Sequence, residues 1–365
     1  MMKDVLNTKL MFKLRNALRA AIKEAGKSVR PYWVAKVNQR SRSVPSTPFS
    51  AIWRALKERL EVPQLKHINE QRENRFIAGS YTNFSGSLKY HLFIPSNYHA
   101  GMPLLVMLHG CNQDAEVFAT GTRMNLHAEQ LGFVVLYPAQ SKLANVNKCW
   151  NWYKPINQYR DMGEPAVIAG MTKKIINKYK INPHKVYIAG LSAGAAMAYI
   201  VGSVYSDIYA AIGVHSGLLY RGINNMFSAL AAMKTGSEQI AKIEELQNKN
   251  TDNDHHHTTN LAGTQPLIIF HGDSDQVVDA QNATDLMAYH RQKNLLNEQY
   301  HKQTSTHDSH TRTTYQNKKG ENLAEQWIIH GAGHAWSGGS RDGNFTDENG
   351  PDASLEMARF FIGVN

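Results

Sequence analysis

From about Asn74 onward the chain alternates short, uninterrupted apolar runs with longer stretches in which apolar residues recur at helical spacing. The runs are Leu104 to Leu108, Phe133 to Tyr137, Val186 to Ala189, Ala211 to Val214, Leu267 to Phe270 and Trp327 to Ile329. A strand reads as a continuous apolar run when both of its faces are buried, as in a parallel sheet. Ahead of them, Phe76 to Tyr81 and Leu88 to Ile94 flank the turn signal Asn83-Phe84-Ser85-Gly86 and predict a pair of joined strands. Helices are expected over Ala115 to Gln130, Glu164 to Tyr179, Ala193 to Tyr205, Ala280 to Lys293 and Ala353 to Phe361. Strands alternating with helices imply right-handed crossovers and a mostly parallel, doubly wound sheet with helices on both faces. The expected fold class is α/β, as one domain over residues 71–365.

The rhythm breaks in two places. Residues 218–262 hold two helix-like patches, Met226 to Thr235 and Gln239 to Asn248, and a polar tail ending in Asp254-His255-His256-His257. They read as an insertion over the C-terminal edge of the sheet, with the three histidines at a solvated loop tip. Residues 1–70 read as a basic amphipathic arm followed by a linker. Met11, Leu14, Leu18, Ala21 and Ile22 share a helical face bordered by Lys13, Arg15, Arg19 and Lys23. Such a helix either docks on its own domain or attaches to an anionic or apolar surface, such as a membrane.

Charge sharpens that division. Of the 365 residues, 40 are Lys or Arg and 30 are Asp or Glu, a formal net charge of +10. The first 75 residues hold 17 of the basic and 6 of the acidic ones, a net of +11. The other 290 carry 23 and 24, a net of −1, so the rest of the chain has no net positive field. Nucleic acid is not an expected partner, because a basic stretch without a binding motif is weak evidence for one. No window approaches the length of a membrane-spanning apolar helix. Lysines and arginines interrupt the N-terminal apolar residues, so no export signal is legible there and a cytoplasmic location is favoured. The two cysteines, Cys111 and Cys149, fit either a single disulfide or two thiols.

The chemistry concentrates where the apolar runs end. Gly190-Leu191-Ser192-Ala193-Gly194 begins at the end of one run and opens a small-residue helix, the strand-turn-helix setting of a nucleophile elbow. A serine hydroxyl needs a base, and the base needs a carboxylate to fix its tautomer. The sequence supplies both in the order Ser, Asp, His. Asp275 follows the Leu267 to Phe270 run, with Asp273 and Asp279 as alternatives. His334 lies in a glycine-rich loop after Trp327 to Ile329, with His330 as its alternative. His330 and His334 are four apart, but no helix carries them and no Glu follows His330, which argues against zinc. The chemistry calls for no cofactor. The backbone N–H of Ala193 is one expected oxyanion donor, and Cys111 or its neighbour Asn112 is the second. Trp150, Trp152 and Trp336 either line a substrate pocket or pack the core, and a Cys111 to Cys149 bridge would close the loops beside them.

These motifs together resemble the esterases of the poly(3-hydroxybutyrate) depolymerase type, α/β-hydrolases related to feruloyl and acetylxylan esterases. The matching stretches are His109-Gly110-Cys111-Asn112-Gln113, Cys149-Trp150-Asn151-Trp152, Gly163-Glu164-Pro165-Ala166, Gly190-Leu191-Ser192-Ala193-Gly194, Gly213-Val214-His215-Ser216-Gly217, His271-Gly272 with Asp275, Gly333-His334-Ala335-Trp336-Ser337-Gly338-Gly339 and Gly350-Pro351-Asp352-Ala353-Ser354. They cover residues 75–363. The resemblance implies Ser192 as nucleophile with Asp275 and His334, an oxyanion hole at the Cys111 and Ala193 backbone, and a Cys111 to Cys149 bridge. It implies carboxylesterase action on hydroxyalkanoate polymers or oligomers, or on feruloyl or acetyl esters. The family includes secreted members with a signal peptide, which the basic arm at the start of this chain does not match.

Overall fold

The computed structural model describes residues 75–237, 265–294 and 300–364. The expected arm and linker, the helix-like patch at 239–248 and the three-histidine tail lie outside the described residues. Those described belong to one compact unit, Asn74–Asn365.

The apolar runs form the centre of a ten-stranded sheet. Strands β1 (Phe76–Asn83), β2 (Gly86–Phe93), β3 (Leu104–Leu108), β4 (Val134–Ala139), β5 (Val186–Leu191), β6 (Ala211–His215), β7 (Leu267–Gly272), β8 (Tyr300–Thr306), β9 (His310–Asn317) and β10 (Asn322–Ile329) are arranged in the order β1-β2-β4-β3-β5-β6-β7-β10-β9-β8. The six strands from β4 to β10 are mutually parallel. The outer strands on both sides pair antiparallel. A two-stranded ribbon, β11 (Trp336–Ser337) with β12 (Thr346–Asp347), stands apart.

Helices α1 (Ala115–Thr122), α2 (Met124–Leu131), α3 (Gly163–Lys178), α4 (Ala193–Val204), α5 (Met226–Thr235), α6 (Gln281–Asn294) and α7 (Ala353–Ile362) cover the two faces. The pleat sorts the core between them, because successive side chains of a strand point to opposite faces. Leu104, Val106, Leu108, Val186 and Ile188 pack in one cluster with α3, α4, α5 and α6. Leu105, Met107, Tyr187 and Ala189 pack in the other with α1, α2 and α7. Each fully buried aliphatic side chain of this kind contributes about 1.5–3 kcal/mol relative to exposure. The doubly wound expectation therefore describes this sheet, which is mixed overall and parallel at its centre.

Two local expectations are corrected. The stretch Ala115 to Gln130 is two helices rather than one. Arg123 breaks it with φ 55°, and its guanidinium donates to Gly338 O (2.5 Å) and Asp352 Oδ2 (3.1 Å). A tertiary hold on one residue overrides a continuous helical pattern. Strands β8 and β9 and the first half of β10 carry too few apolar residues to be read as strands. Tyr300–Thr306 is exposed at five of its seven positions, as an edge strand can be.

Candidate active site

The serine sits at the sheet's topological switch. Strand β3 has β4 on one side and β5 on the other, and ligands of open α/β sheets bind beyond the strand ends at such a reversal. Ser192 directly follows β5 and adopts φ 56°, ψ −120°. A side-chain-bearing residue in that region costs about 1–3 kcal/mol and needs surroundings that enforce it. Two enforcing bonds flank it: Ser192 N donates to His215 O (2.9 Å), and Ser192 O accepts from Ala196 N (3.0 Å). The glycines of the motif have a steric reason. A Cβ on Gly190 would come 2.4 Å from the Gly194 backbone, and one on Gly194 would come 2.2 Å from Leu108 O.

Asp275 and His334 meet. His334 Nδ1 lies 2.7 Å from Asp275 Oδ2, so this nitrogen carries the hydrogen and Nε2 is left as an acceptor. Asp275 Oδ1 accepts from Val277 N and Val278 N, both at 2.9 Å. Burial pushes its carboxyl upward, but hydrogen bonds from His271 and His334, the His334 charge and the Val278 N–H outweigh that and hold it well below the usual carboxylate range. Asp275 is thus an anion, positioned to orient an imidazole. The alternatives belong elsewhere. Asp273 pairs with His330 (3.1 Å) at the surface, and Asp279 Oδ1 accepts from Gln281 N at the start of α6.

A serine, a histidine and an aspartate at one sheet edge are groups that acyl transfer can use. The family model described as esterase PHB depolymerase matches residues 88–313. The chain belongs to that family. Among curated proteins it is 31% identical over 254 residues to poly(3-hydroxyalkanoate) depolymerase C of Paucimonas lemoignei, a match covering 68% of this chain and 58% of that protein. It is 28% identical over 212 residues to acetylxylan esterase A of Talaromyces purpureogenus, covering 56% and 53%. The chain therefore spans little more than half the length of these two relatives. Among solved structures, an acetyl xylan esterase from Aspergillus awamori superposes with a TM-score of 0.57 at 18% identity, over 79% of this chain and 99% of that one. The fold is an α/β-hydrolase.

In this PHB depolymerase family chain the loop after β3 is held by several bonds. The sulfurs of Cys111 and Cys149 are bonded, at a Cα separation of 4.3 Å. Asn112 N donates to Asn147 O (2.7 Å), so the Asn112 amide is committed. Gly110 N donates to Gln113 Oε1 (2.8 Å), and Gln113 Nε2 reaches Asn344 O (2.9 Å). His109 donates from Nδ1 to Gly110 O (2.8 Å) and accepts at Nε2 from Gln140 N (3.0 Å). Burial pushes its pKa down to about 4, so it is a neutral strut.

The tryptophans expected as substrate contacts are corrected to core. Trp150 is 0% exposed, and its Nε1 donates to His109 O (3.1 Å). Trp336 is 1% exposed, stacks on His215 and donates to Ser354 Oγ (3.0 Å). Trp152 is 4% exposed and packs with the α3 and α4 face. All three indoles are packed in the interior, and the two with described N–H bonds find partners there. Asn112, in contrast, is exposed beside the disulfide.

Three supporting residues had no assigned role in the sequence. Glu164 accepts from Gln140 Nε2 (2.7 Å), Asn151 N (2.9 Å) and Asn151 Nδ2 (2.6 Å), tying the disulfide loop to α3. Burial raises its carboxyl despite those bonds. His215 accepts from Ser337 N (3.0 Å) and so fixes the loop beyond His334, its pKa pushed down to about 3 by burial first and the charges of His271 and His334 after it. His271 lies under Asp275. The signal for His215 and His271 was a polar residue at the end of an apolar run, a position that burial makes costly unless it is bonded, whereas Glu164 had none. Among the described residues no group of three or more His, Cys, Asp or Glu could hold a metal ion.

Proposed function

We propose that this chain is a serine carboxylesterase acting on hydroxyalkanoate polymers or oligomers through an acyl-enzyme. Ser192 attacks the ester carbonyl while His334 takes its proton. Asp275 holds the imidazole in the Nδ1–H tautomer and stabilises the imidazolium. The N–H groups of Cys111 and Ala193 receive the developing oxyanion, and His334 returns the proton to the leaving alcohol. Water, activated by the same imidazole, then releases the acid. The observation that carries the reading is the 2.7 Å bond between His334 Nδ1 and Asp275 Oδ2, at the sheet edge where Ser192 is held at φ 56°.

Hydrolysis of a soluble short-acyl nitrophenyl ester by the wild type, absent in Ser192→Ala, tests it, together with fluorophosphonate labelling at Ser192. Unimpaired turnover by Ser192→Ala would sink the proposal. The depolymerase name of the 31% identical relative supports the polyester substrate. A second reading, deacetylation or deferuloylation of polysaccharide, draws on relatives named acetylxylan esterase A and feruloyl esterase B. Release of 3-hydroxyacid from polymer or oligomer, compared with release of acetate or ferulate, separates the two. The proposed attachment of the residue 1–70 arm to a granule or membrane is tested by comparing sedimentation of the full chain with that of a chain lacking those residues. The Cys111–Cys149 bond supports an oxidising compartment rather than the cytoplasm.

A further inference from the structure

Asp275 has a second imidazole on it. His271, in β7, is completely buried, and its Nε2 lies 2.8 Å from Val278 O and 3.4 Å from Asp275 Oδ2. A carbonyl oxygen only accepts, so Nε2 carries the hydrogen and directs it between the Val278 carbonyl and the carboxylate. In the neutral ring the other nitrogen then bears no hydrogen, and Nδ1 meets no hydrogen-bond partner among the described residues. That arrangement is costly for packing alone, since a bare buried nitrogen is penalised where a leucine of similar size is not. What the imidazole adds is one N–H at the point where the 275–278 turn closes. Val277 N and Val278 N hold Oδ1 from above this turn, and His271 holds the turn's last carbonyl and Oδ2 together from below.

We infer that His271 is a positioning residue for the esterase reaction, fixing the Asp275 carboxylate so that Oδ2 stays directed at His334. The inference rests on the triad reading proposed above. His271 does not touch the reacting atoms. Its effect passes through Asp275, which gives it a signature that a packing residue lacks: it matters only while Asp275 is present.

The test is a double-mutant cycle on the full chain, with kcat and KM read on a soluble nitrophenyl ester. His271→Leu is expected to lower kcat about tenfold with KM within about twofold, the scale of losing one hydrogen bond to a charged group. His271→Gln, whose amide nitrogen reaches the Nε2 position, recovers most of the loss. In an Asp275→Ala background His271→Leu adds no further loss. Wild-type kcat in His271→Leu, equal loss in His271→Gln, or a fully additive loss in the double variant would each overturn the inference. Should thermal unfolding show His271→Leu to be unfolded, His271→Asn supplies the contrast, its amide falling short of the Nε2 position. Impaired Asn beside active Gln upholds the inference, and equal kcat overturns it. Ser192→Ala, measured alongside, keeps the two readings apart. If it retains activity the triad itself fails; if it is inactive while the His271 variants match wild type, only the positioning role fails.

Discussion

The same two loops carry two Asp–His pairs, and only one of them is buried. Asp275 with His334 and Asp273 with His330 both join the loop after β7 to the loop after β10, at Nδ1 to Oδ2 distances of 2.7 and 3.1 Å. The side chains of the first pair are 0% and 11% exposed, and those of the second are 38% and 35% exposed. Asp275 also takes two backbone N–H bonds on Oδ1 and lies against His271, whereas Asp273 takes one from Gly331 N and one from Ser274 Oγ. Residue type and spacing do not distinguish the pairs. Burial does: away from water a hydrogen bond to a carboxylate keeps its electrostatic strength and the imidazole keeps one orientation, while at the surface solvent screens the first and loosens the second.

The comparison breaks most sharply at the carboxylates. In Asp275→Asn, Oδ1 can still accept from Val277 N and Val278 N, but an amide N–H would face the His334 Nδ1–H and turn the imidazole to the wrong tautomer. We expect kcat on a soluble ester to fall about 10³–10⁴-fold, the scale that this change has in a Ser-His-Asp triad. Asp273→Asn is expected to leave kcat within about twofold. Comparable losses in the two variants would erase the distinction.

Burial also makes the site's supports acid-sensitive. The buried imidazoles of His109 and His215 have pKa values pushed down to about 4 and about 3, against about 6.5 in an unfolded chain. The unfolded chain therefore takes up their protons first as pH falls. Their stabilisation is complete above pH 6.5 and declines from there toward their folded values. Together this amounts to a loss on the order of 4 kcal/mol between pH 7 and pH 5. Asp275, whose carboxyl is held low, begins to cost stability only below about pH 4. Urea midpoints at pH 7 and pH 5 check this, and equal midpoints would contradict neutral, buried histidines.

How much of this could be read from the chain follows the same division. The parallel strands were legible because burial on both faces writes an unbroken apolar run, as in Leu104–Leu108. The hairpin Tyr300–Thr306 with His310–Asn317 was not, because an edge strand can be polar on both faces. The elbow was legible because Gly190 and Gly194 answer a local steric demand. The tryptophans misled because an indole near a catalytic motif reads alike in a pocket and in a core, and only the third dimension shows Trp150 and Trp336 donating inward. The break at Arg123 was hidden for a related reason: its partners, Gly338 and Asp352, are more than 200 residues away. His271 and His215 stood inside quoted motifs without a role, since a motif names residue types and not their folded contacts, which are Val278 O and Asp275 Oδ2 for His271 and Ser337 N for His215.

The smallest expected effect tests the exposed pair itself. His330 Nδ1 contacts Asp273 Oδ2, Nε2 lies 3.0 Å from Thr311 Oγ1, and the ring is about one-third exposed. In His330→Gln the imidazole contact with Asp273 is lost, while Asp273 keeps its bond from Gly331 N (2.7 Å), the backbone link between the two loops. Ion pairs this exposed contribute about 0–1 kcal/mol after screening and side-chain ordering. The variant should therefore unfold within about 1 kcal/mol of wild type and keep kcat within about twofold. A larger loss of stability with kcat unchanged would make the surface pair the clamp that joins the β7 and β10 loops. A loss of kcat at unchanged stability would mean that the exposed pair feeds the buried one through the shared backbone from Asp273 to Asp275, and the two pairs would have to be treated as one network.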